Sequence, residues 1–170
     1  MESAKVAFSK LGYAKASIRD IAADAGITAA LVVRYFGSKE KLFDQAVAEA
    51  FDLGETFATT DRGKLGEAIA AQLFSAQQDV DLTAMMLLAA TDPSVNARAR
   101  RLAHARMLQP MAKLIGGPGA ERRAAMILSV ATGIWFYRFK LPLKPLSGRV
   151  DAGFVSEVAS VLQRLIDGAD

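Results

Sequence analysis

The chain has 170 residues, is 52% hydrophobic and 23% charged, and carries a formal net charge of +3, which suffices for one good core or two small ones and excludes a disordered segment. With no cysteine and a single histidine, His104, it can form no disulfide, thiolate nucleophile, cysteine zinc site or multi-histidine metal site within one chain, so neither metal nor cofactor is expected. Glu2 and Lys5 stand where a secretory signal needs an apolar core, and the uncharged run from Ala124 to Tyr137 is fourteen residues long; a membrane helix needs about 20, so a soluble, cytoplasmic protein with no membrane partner is expected.

About four helices fit before residue 54. Ser17 offers a hydroxyl to the first turn of one of them, and Asp20 sets an acid against its positive end. Ile18, Ile21, Ala22 and Ala25 recur at helical spacing, and Gly26 stands where the chain leaves that helix in a left-handed conformation. Ile27 is expected to plug the angle between two helices, and Thr28 to cap the second. In that second helix Val32 and Phe36 face inward, which turns Ala29, Ala30 and Val33 outward, with Arg34 and Tyr35 near its end. Two short helices hinged at a glycine have the layout of a helix-turn-helix, although such pairs also occur in helical proteins that never meet DNA. After Gly37, Ser38 can cap a further helix over 39–53; Lys41 holds the place an acid would take in a full capping box, Glu40 is in the first turn, and Leu42, Phe43, Ala46, Val47 and Ala50 form its buried stripe. Lys39 opposes the dipole of this helix, which suggests an external anion beside it.

The remainder is punctuated by the polar stretch 54–66, by Asp92-Pro93, by Gly116-Gly117-Pro118-Gly119 and by the loop 142–148. Helices fit between them at about 64–78, 82–91, 94–115, 120–140 and 150–167, with no convincing strand, so the fold is read as all-α: an amino-terminal helical bundle over 1–53 and a second helical domain over 54–170. In the helix over 120–140, Ala125, Leu128, Ser129, Thr132, Gly133 and Phe136 form a stripe with small residues where another helix can approach closely. Phe154, Val158, Val161, Leu162 and Leu165 do the same in the last helix. Such faces bury against the domain's own core or against a twin, and one stripe cannot fully serve both. Charge is weakly placed for a nucleic-acid partner: residues 1–50 hold seven Lys or Arg against six Asp or Glu. Residues 92–123 hold seven basic side chains against two acidic ones, but Arg98, Arg100, Arg101 and Arg106 are more simply a solvated helix face.

Phe8, Gly12-Tyr13, Ser17, Ile21-Ala22, Ala25-Gly26-Ile27-Thr28 and above all Tyr35-Phe36-Gly37-Ser38-Lys39-Glu40 followed by Leu42 give the chain its strongest resemblance. It resembles the TetR family, the tetracycline-repressor-like transcriptional regulators of bacteria. The resemblance implies that the second short helix enters a major groove of double-stranded operator DNA, with Ser17, Tyr35 and Lys39 on phosphates and Arg19, Ala29, Ala30 and Val33 near base edges, while Thr28 and Arg34 flank them. Two departures stand out: the family usually has tyrosine where this chain has Val33, and only Glu2 to Leu11 precede Gly12, where most members carry a basic arm and a full first helix.

The run ATGIWFYRFKLPLKPLSG, followed by an amphipathic helix, is similar to the carboxy-terminal half of the same family, less specifically. There the last two helices of each subunit form a four-helix interface, which implies a homodimer whose recognition helices, about 34 Å apart, meet successive major grooves. The family also implies an unknown small apolar effector, for which Phe74, Met85, Met86, His104, Met107, Met111, Trp135 and Tyr137 are candidate lining residues. Ordinary core packing is the plainer account of the methionines, and a satisfied or exposed histidine that of His104. The resulting expectation is a ligand-responsive regulator, a repressor rather than an enzyme, since no nucleophile and base can be matched at plausible spacing. A helical protein-interaction module with a vestigial helix-turn-helix is the alternative.

Overall fold

Ser17, Thr28 and Ser38 fall at the starts of helices, and Gly26, Gly37 and Gly116 at or just beyond helix ends. A computed structural model describes residues 1–50, 56–75 and 80–168. In chain order the helices are α1 (Glu2–Lys15), α2 (Ile18–Asp24), α3 (Ala29–Phe36), α4 (Lys39–Ala50), α5 (Leu65–Phe74), α6 (Leu82–Ala90), α7 (Asn96–Ala103), α8 (Gln109–Ile115), α9 (Ala120–Trp135) and α10 (Ala152–Asp167). The described residues contain no strand, and the fold is all-α.

Two helices depart from the uniform rods expected. The segment read as 94–115 is helical from Asn96 but widens into a π turn over His104–Leu108 before α8. Pro110 supplies the reason: it has no N–H to donate, and its ring crowds the carbonyl one turn back, so the helix accommodates it by loosening the preceding turn. The segment read as 120–140 likewise ends in a π turn over Phe136–Lys140, closed by the Leu141 N–H donating to the Phe136 carbonyl at 2.9 Å. The last helix starts at Ala152, where Asp151 Oδ1 accepts from the N–H groups of Gly153 and Phe154 at 2.8 and 3.2 Å. The final residues of the helix expected over 39–53 lie outside the described residues.

The chain divides into two compact units, one of residues 1–52 and 78–106, the other of 53–77 and 107–170. The unit that holds the helix-turn-helix is therefore larger than residues 1–53, because α6 packs on α1 and α7 on α6. With the sequence LTAMMLLAA, α6 is apolar on every side and so is suited to burial on more than one face. Gly12, at φ 73°, breaks the helical path of α1, and a Cβ there would lie 3.0 Å from the Leu88 Cβ, so both its backbone and its lack of a side chain are used. The buried Ser9 hydroxyl accepts from the Asp81 N–H at 2.9 Å, which fastens the start of α6 to α1. Phe8, Tyr13 and Phe43 form the aromatic centre of this unit, with Phe43 meeting the other two edge-on at 5.0 and 5.4 Å.

In the second unit α5 packs against α10, and α9 against α8 and α10. At the crossing of α5 and α10 a Cβ on Gly66 would come within 2.4 Å of the Ala159 carbonyl oxygen, so the two backbones touch. The Gly66 N–H donates to Gln163 Oε1 at 2.9 Å, and Gln163 Nε2 donates to the Arg62 carbonyl at 3.0 Å. Arg123, buried on α9, donates to the carbonyls of Gly116 (2.5 Å), Pro118 (3.2 Å), Leu165 (3.2 Å) and Ile166, and so ties together the last turns of α8 and α10. The Leu165 and Ile166 carbonyls are among the unpaired acceptors that a helix end leaves over.

Candidate nucleic-acid interface

The helix-turn-helix is held by short-range hydrogen bonds that leave its outer face open. Ser17 Oγ accepts from the Asp20 N–H at 3.0 Å and donates to Asp20 Oδ2 at 2.6 Å, capping α2. At the other end Gly26 takes φ 68°, its N–H donates to the Ala23 carbonyl at 3.1 Å, and the Ile27 N–H donates to the Ala22 carbonyl at 2.9 Å. This paired closure ends the helix through its backbone. The Ile27 side chain therefore does not plug the angle between the helices; it is 42% exposed. Thr28 Oγ1 accepts from the Leu31 N–H at 3.2 Å and starts α3 as expected.

On α3, Val32 is buried and Phe36 half-buried, while Ala30 and Arg34 are exposed and Ala29 is half-buried. Val33 is 45% exposed and Tyr35 80%, the Tyr35 ring resting edge-on against Phe36 at 5.1 Å. The Arg19 side chain is largely free of the surface, with Nε 3.8 Å from Asp20 Oδ1. Arg19, Thr28, Ala30, Val33, Arg34 and Tyr35 are thus all accessible, with Ser17 and Ala29 partly so. Leu31, 46% exposed, belongs to this surface as well. Sequence reasoning missed it, although its place one residue before the inward Val32 carried the signal.

Behind α3, the start of α4 is built on a polar network. The Ser38 hydroxyl accepts from the Lys41 N–H at 3.3 Å, so Ser38 caps without the acid of a full capping box. Glu40 lies back on Tyr13, whose hydroxyl donates to Oε1 at 3.0 Å. Its own backbone N–H, the Ser38 hydroxyl and the Tyr13 hydroxyl hold the Glu40 carboxyl below the ordinary value. Burial, then the bond to Glu40 and that residue's charge, push the Tyr13 phenol up to about 12. Lys39, expected to signal an external anion, has internal partners: Nζ donates to the Ala14 carbonyl at 3.3 Å and sits 4.4 Å from the centroid of the Tyr13 ring. Burial lowers its pKa, against the opposing pull of Asp92 and Glu40. Arg98 likewise corrects the sequence reading, since it is half-buried and paired with Asp44 of α4, whereas Arg100, Arg101 and Arg106 are exposed.

The eight candidate lining residues divide between the two units. Met85 and Met86 are buried on α6 in the first, and His104 is exposed in the π turn after α7. In the second, Met111 and Trp135 are buried, Phe74 and Met107 half-buried and Tyr137 exposed. Phe74 meets Phe154 edge-on at 6.1 Å and carries the Arg138 guanidinium at 5.5 Å from its centroid, while Lys140 Nζ lies 5.1 Å from that of Trp135. No group of three potential metal ligands and no helix able to cross a membrane occurs among the described residues.

The candidate interface stripes separate from the core stripes beside them. On α9 the inward face is Ala124, Ile127, Ile134 and Trp135; Ala125, Ser129 and Phe136 are exposed, and Leu128, Thr132 and Gly133 half-buried, with nothing within 4 Å of a Cβ built on Gly133. On α10, Val161 is exposed and Phe154, Val158 and Leu165 are half-buried. Leu162 is fully buried with Ala159 and Ile166, three residues before and four after it, so it belongs to the protomer's own core and not to a face offered to a twin.

Comparison with known proteins agrees with this architecture. Residues 1–46 match the family described as bacterial regulatory proteins, tetR family, and residues 63–166 match the tetracyclin repressor-like C-terminal domain. No curated protein matches the chain. A TetR-family regulator from Streptomyces coelicolor A3 is 24% identical, with a TM-score of 0.63 over 98% of this chain and 91% of that one. A transcriptional regulator from Saccharomonospora viridis, in complex with choline, is 21% identical with a TM-score of 0.65 over 99% and 93%. One from Rhodococcus sp. Rha1 is 22% identical with a TM-score of 0.63 over 99% and 95%. With both of its parts matched and its recognition helix open to solvent, the chain belongs to the TetR family of DNA-binding transcriptional regulators.

Proposed function

We propose that the protein is a ligand-responsive repressor that binds a near-palindromic operator as a homodimer. The observation that carries this reading is the outer face of α3, where Ala30, Val33, Arg34 and Tyr35 are accessible while Val32 anchors the helix from behind. A vestigial motif would have no reason to keep both caps and an open face. Ser17, Tyr35 and Lys39 would fix the register on phosphates, Arg19 would read guanine, and Ala29, Ala30 and Val33 would approach base edges. Thr28 would hold the start of the helix, and Arg34 would contact the flanking backbone.

One module with a net charge of +1 over residues 1–50 should bind feebly, and pairing two remedies this. The exposed Ala125, Ser129 and Phe136, with open space beside Gly133 and with Val161 exposed on α10, support a twin packed on these helices. In this reading residues 1–53 carry DNA recognition and 54–170 effector binding and dimerisation, with α6 and α7 as the part of the latter built into the first compact unit. A ligand would release DNA by favouring the form that binds the operator less well. The connection after Leu53, which the sequence marks as a lever, lies outside the described residues; the Arg98 pair with Asp44 is a second route, because it joins α7 to α4.

The Saccharomonospora viridis regulator holds choline. For this chain an uncharged, apolar effector fits better, because Lys140 and Arg138 already place cations over Trp135 and Phe74. Selection of bound duplexes from a genomic library, followed by a gel shift at two salt concentrations, tests the reading. Enrichment of a site with two half-sites one helical turn apart and a steep loss of affinity with salt is expected; no enrichment would reject it.

A further inference from the structure

Within the first turns of α3 itself, from Ala29 to Val33, no side chain can read a base by hydrogen bonding, and at its cap only the Thr28 O–H is left to donate. Ala29, Ala30, Leu31 and Val33 are apolar, and the Thr28 oxygen already accepts from the Leu31 N–H at 3.2 Å. The two side chains with donors, Arg34 and Tyr35, stand in the last turn, whereas the amino-terminal residues of a recognition helix are those that meet base edges. Around the helix, Ala30 and Arg34 lie opposite the buried Val32, Leu31 is exposed about 100° to one side of it, and Ile27 is exposed just before the cap. Leu31 and Ile27, 46% and 42% exposed, are the largest apolar groups at the open end of this motif.

In a major groove only one feature of a base pair answers an apolar side chain, the C5-methyl group of thymine. We propose that Leu31, supported by Ile27, is a specificity-determining residue that reads thymine methyls, so that each operator half-site is recognised at its centre by apolar contact. The inference rests on the operator-binding reading and adds to it the chemistry of the half-site. It also follows that 5-methylcytosine, which carries a methyl at the same place in the groove, substitutes for thymine at those positions.

The test uses the full chain and the duplex enriched from a random library. Replacing each thymine of a half-site in turn by deoxyuridine removes one methyl and nothing else. At one or two positions per half-site, affinity should fall roughly three- to five-fold, the loss expected for one buried methyl group. Replacing the same base pair by one with 5-methylcytosine should bind better than with cytosine. In Leu31→Ala the difference between thymine and deoxyuridine should shrink towards one, while a melting curve checks that the fold is kept; Leu31→Met, still apolar, should restore part of it. Failure to enrich any duplex would overturn operator binding itself. Enriched duplexes without a recurrent thymine, or equal affinity for thymine and deoxyuridine throughout, would leave operator binding standing and overturn the methyl reading alone.

Discussion

The Nζ of Lys39 lies 4.4 Å from the centroid of the Tyr13 ring and donates to the carbonyl of the neighbouring Ala14, so the first residue of α4 is fastened to the last turn of α1. Tyr13 in turn donates to Glu40, the next residue of α4. The platform behind the recognition helix is therefore fixed by one aromatic ring serving two charges of opposite sign.

Tyr13→Phe should alter stability at high pH. The phenol is raised to about 12 in the folded protein from 10.0 in the unfolded chain, so between these values the unfolded state has lost a proton the folded state keeps. Stability from this group is complete below pH 10 and declines as pH rises towards 12, by on the order of 2 kcal/mol. Denaturation curves of Tyr13→Phe, set against the parent, should lack this part of the alkaline decline; identical slopes would show that Tyr13 is not the group responsible.

At the acid end Glu40 has the opposite sign. Its carboxyl is held below the ordinary value, so its contribution is present above the unfolded pKa near 4.5 and is lost as pH falls through the lower folded value. Glu40→Gln should be less stable than the parent at neutral pH and should converge on it in acid, as followed by helical circular dichroism.

Removing one member of the Asp44 and Arg98 pair leaves a half-buried charge without its partner. Arg98→Ala should cost about 1–3 kcal/mol in urea unfolding, and the double variant with Asp44→Ala less than the sum of the singles. Strict additivity would mean that the pair contributes nothing beyond its separate parts.

Gly66→Ala should destabilise the protein by about 2 kcal/mol or more, because a Cβ at that place meets a backbone oxygen, which cannot turn away as a side chain can. A fall in melting temperature of several degrees would report it; an unchanged melting temperature would mean that α5 and α10 separate at little cost.

On DNA, Lys39→Ala should weaken binding to all sequences alike and lower the salt slope by about one, whereas Arg19→Ala should relax discrimination at one base pair per half-site. Binding isotherms on the selected operator and on base-substituted duplexes separate the two. Equal loss of discrimination in both variants would refute this division of roles.

What could be read before folding was local. Ser17, Gly26 and Thr28 act on groups within five residues of themselves, so their spacing alone defined both helices of the motif. Arg98 and Arg123 were illegible as structural residues because the Arg98 acceptor lies 54 positions away and two of the Arg123 acceptors 42 and 43, and a cation in a basic stretch reads as solvated until its partner is known. The apolar stripe of α10 showed a face but not its edge: Leu162 and Val161 are neighbours in sequence, and only packing against α5 distinguishes the buried one from the exposed one. Leu31 was missed differently: a leucine in a short helix is normally core, although the inward Val32 beside it, legible in the sequence, already turned Leu31 towards solvent.

Arg123 has a practical corollary for anyone shortening this protein. Its guanidinium grips carbonyls at Leu165 and Ile166, so a deletion that begins at Leu165 would leave a buried cation with the Gly116 and Pro118 carbonyls alone and would cut the rivet between α8 and α10.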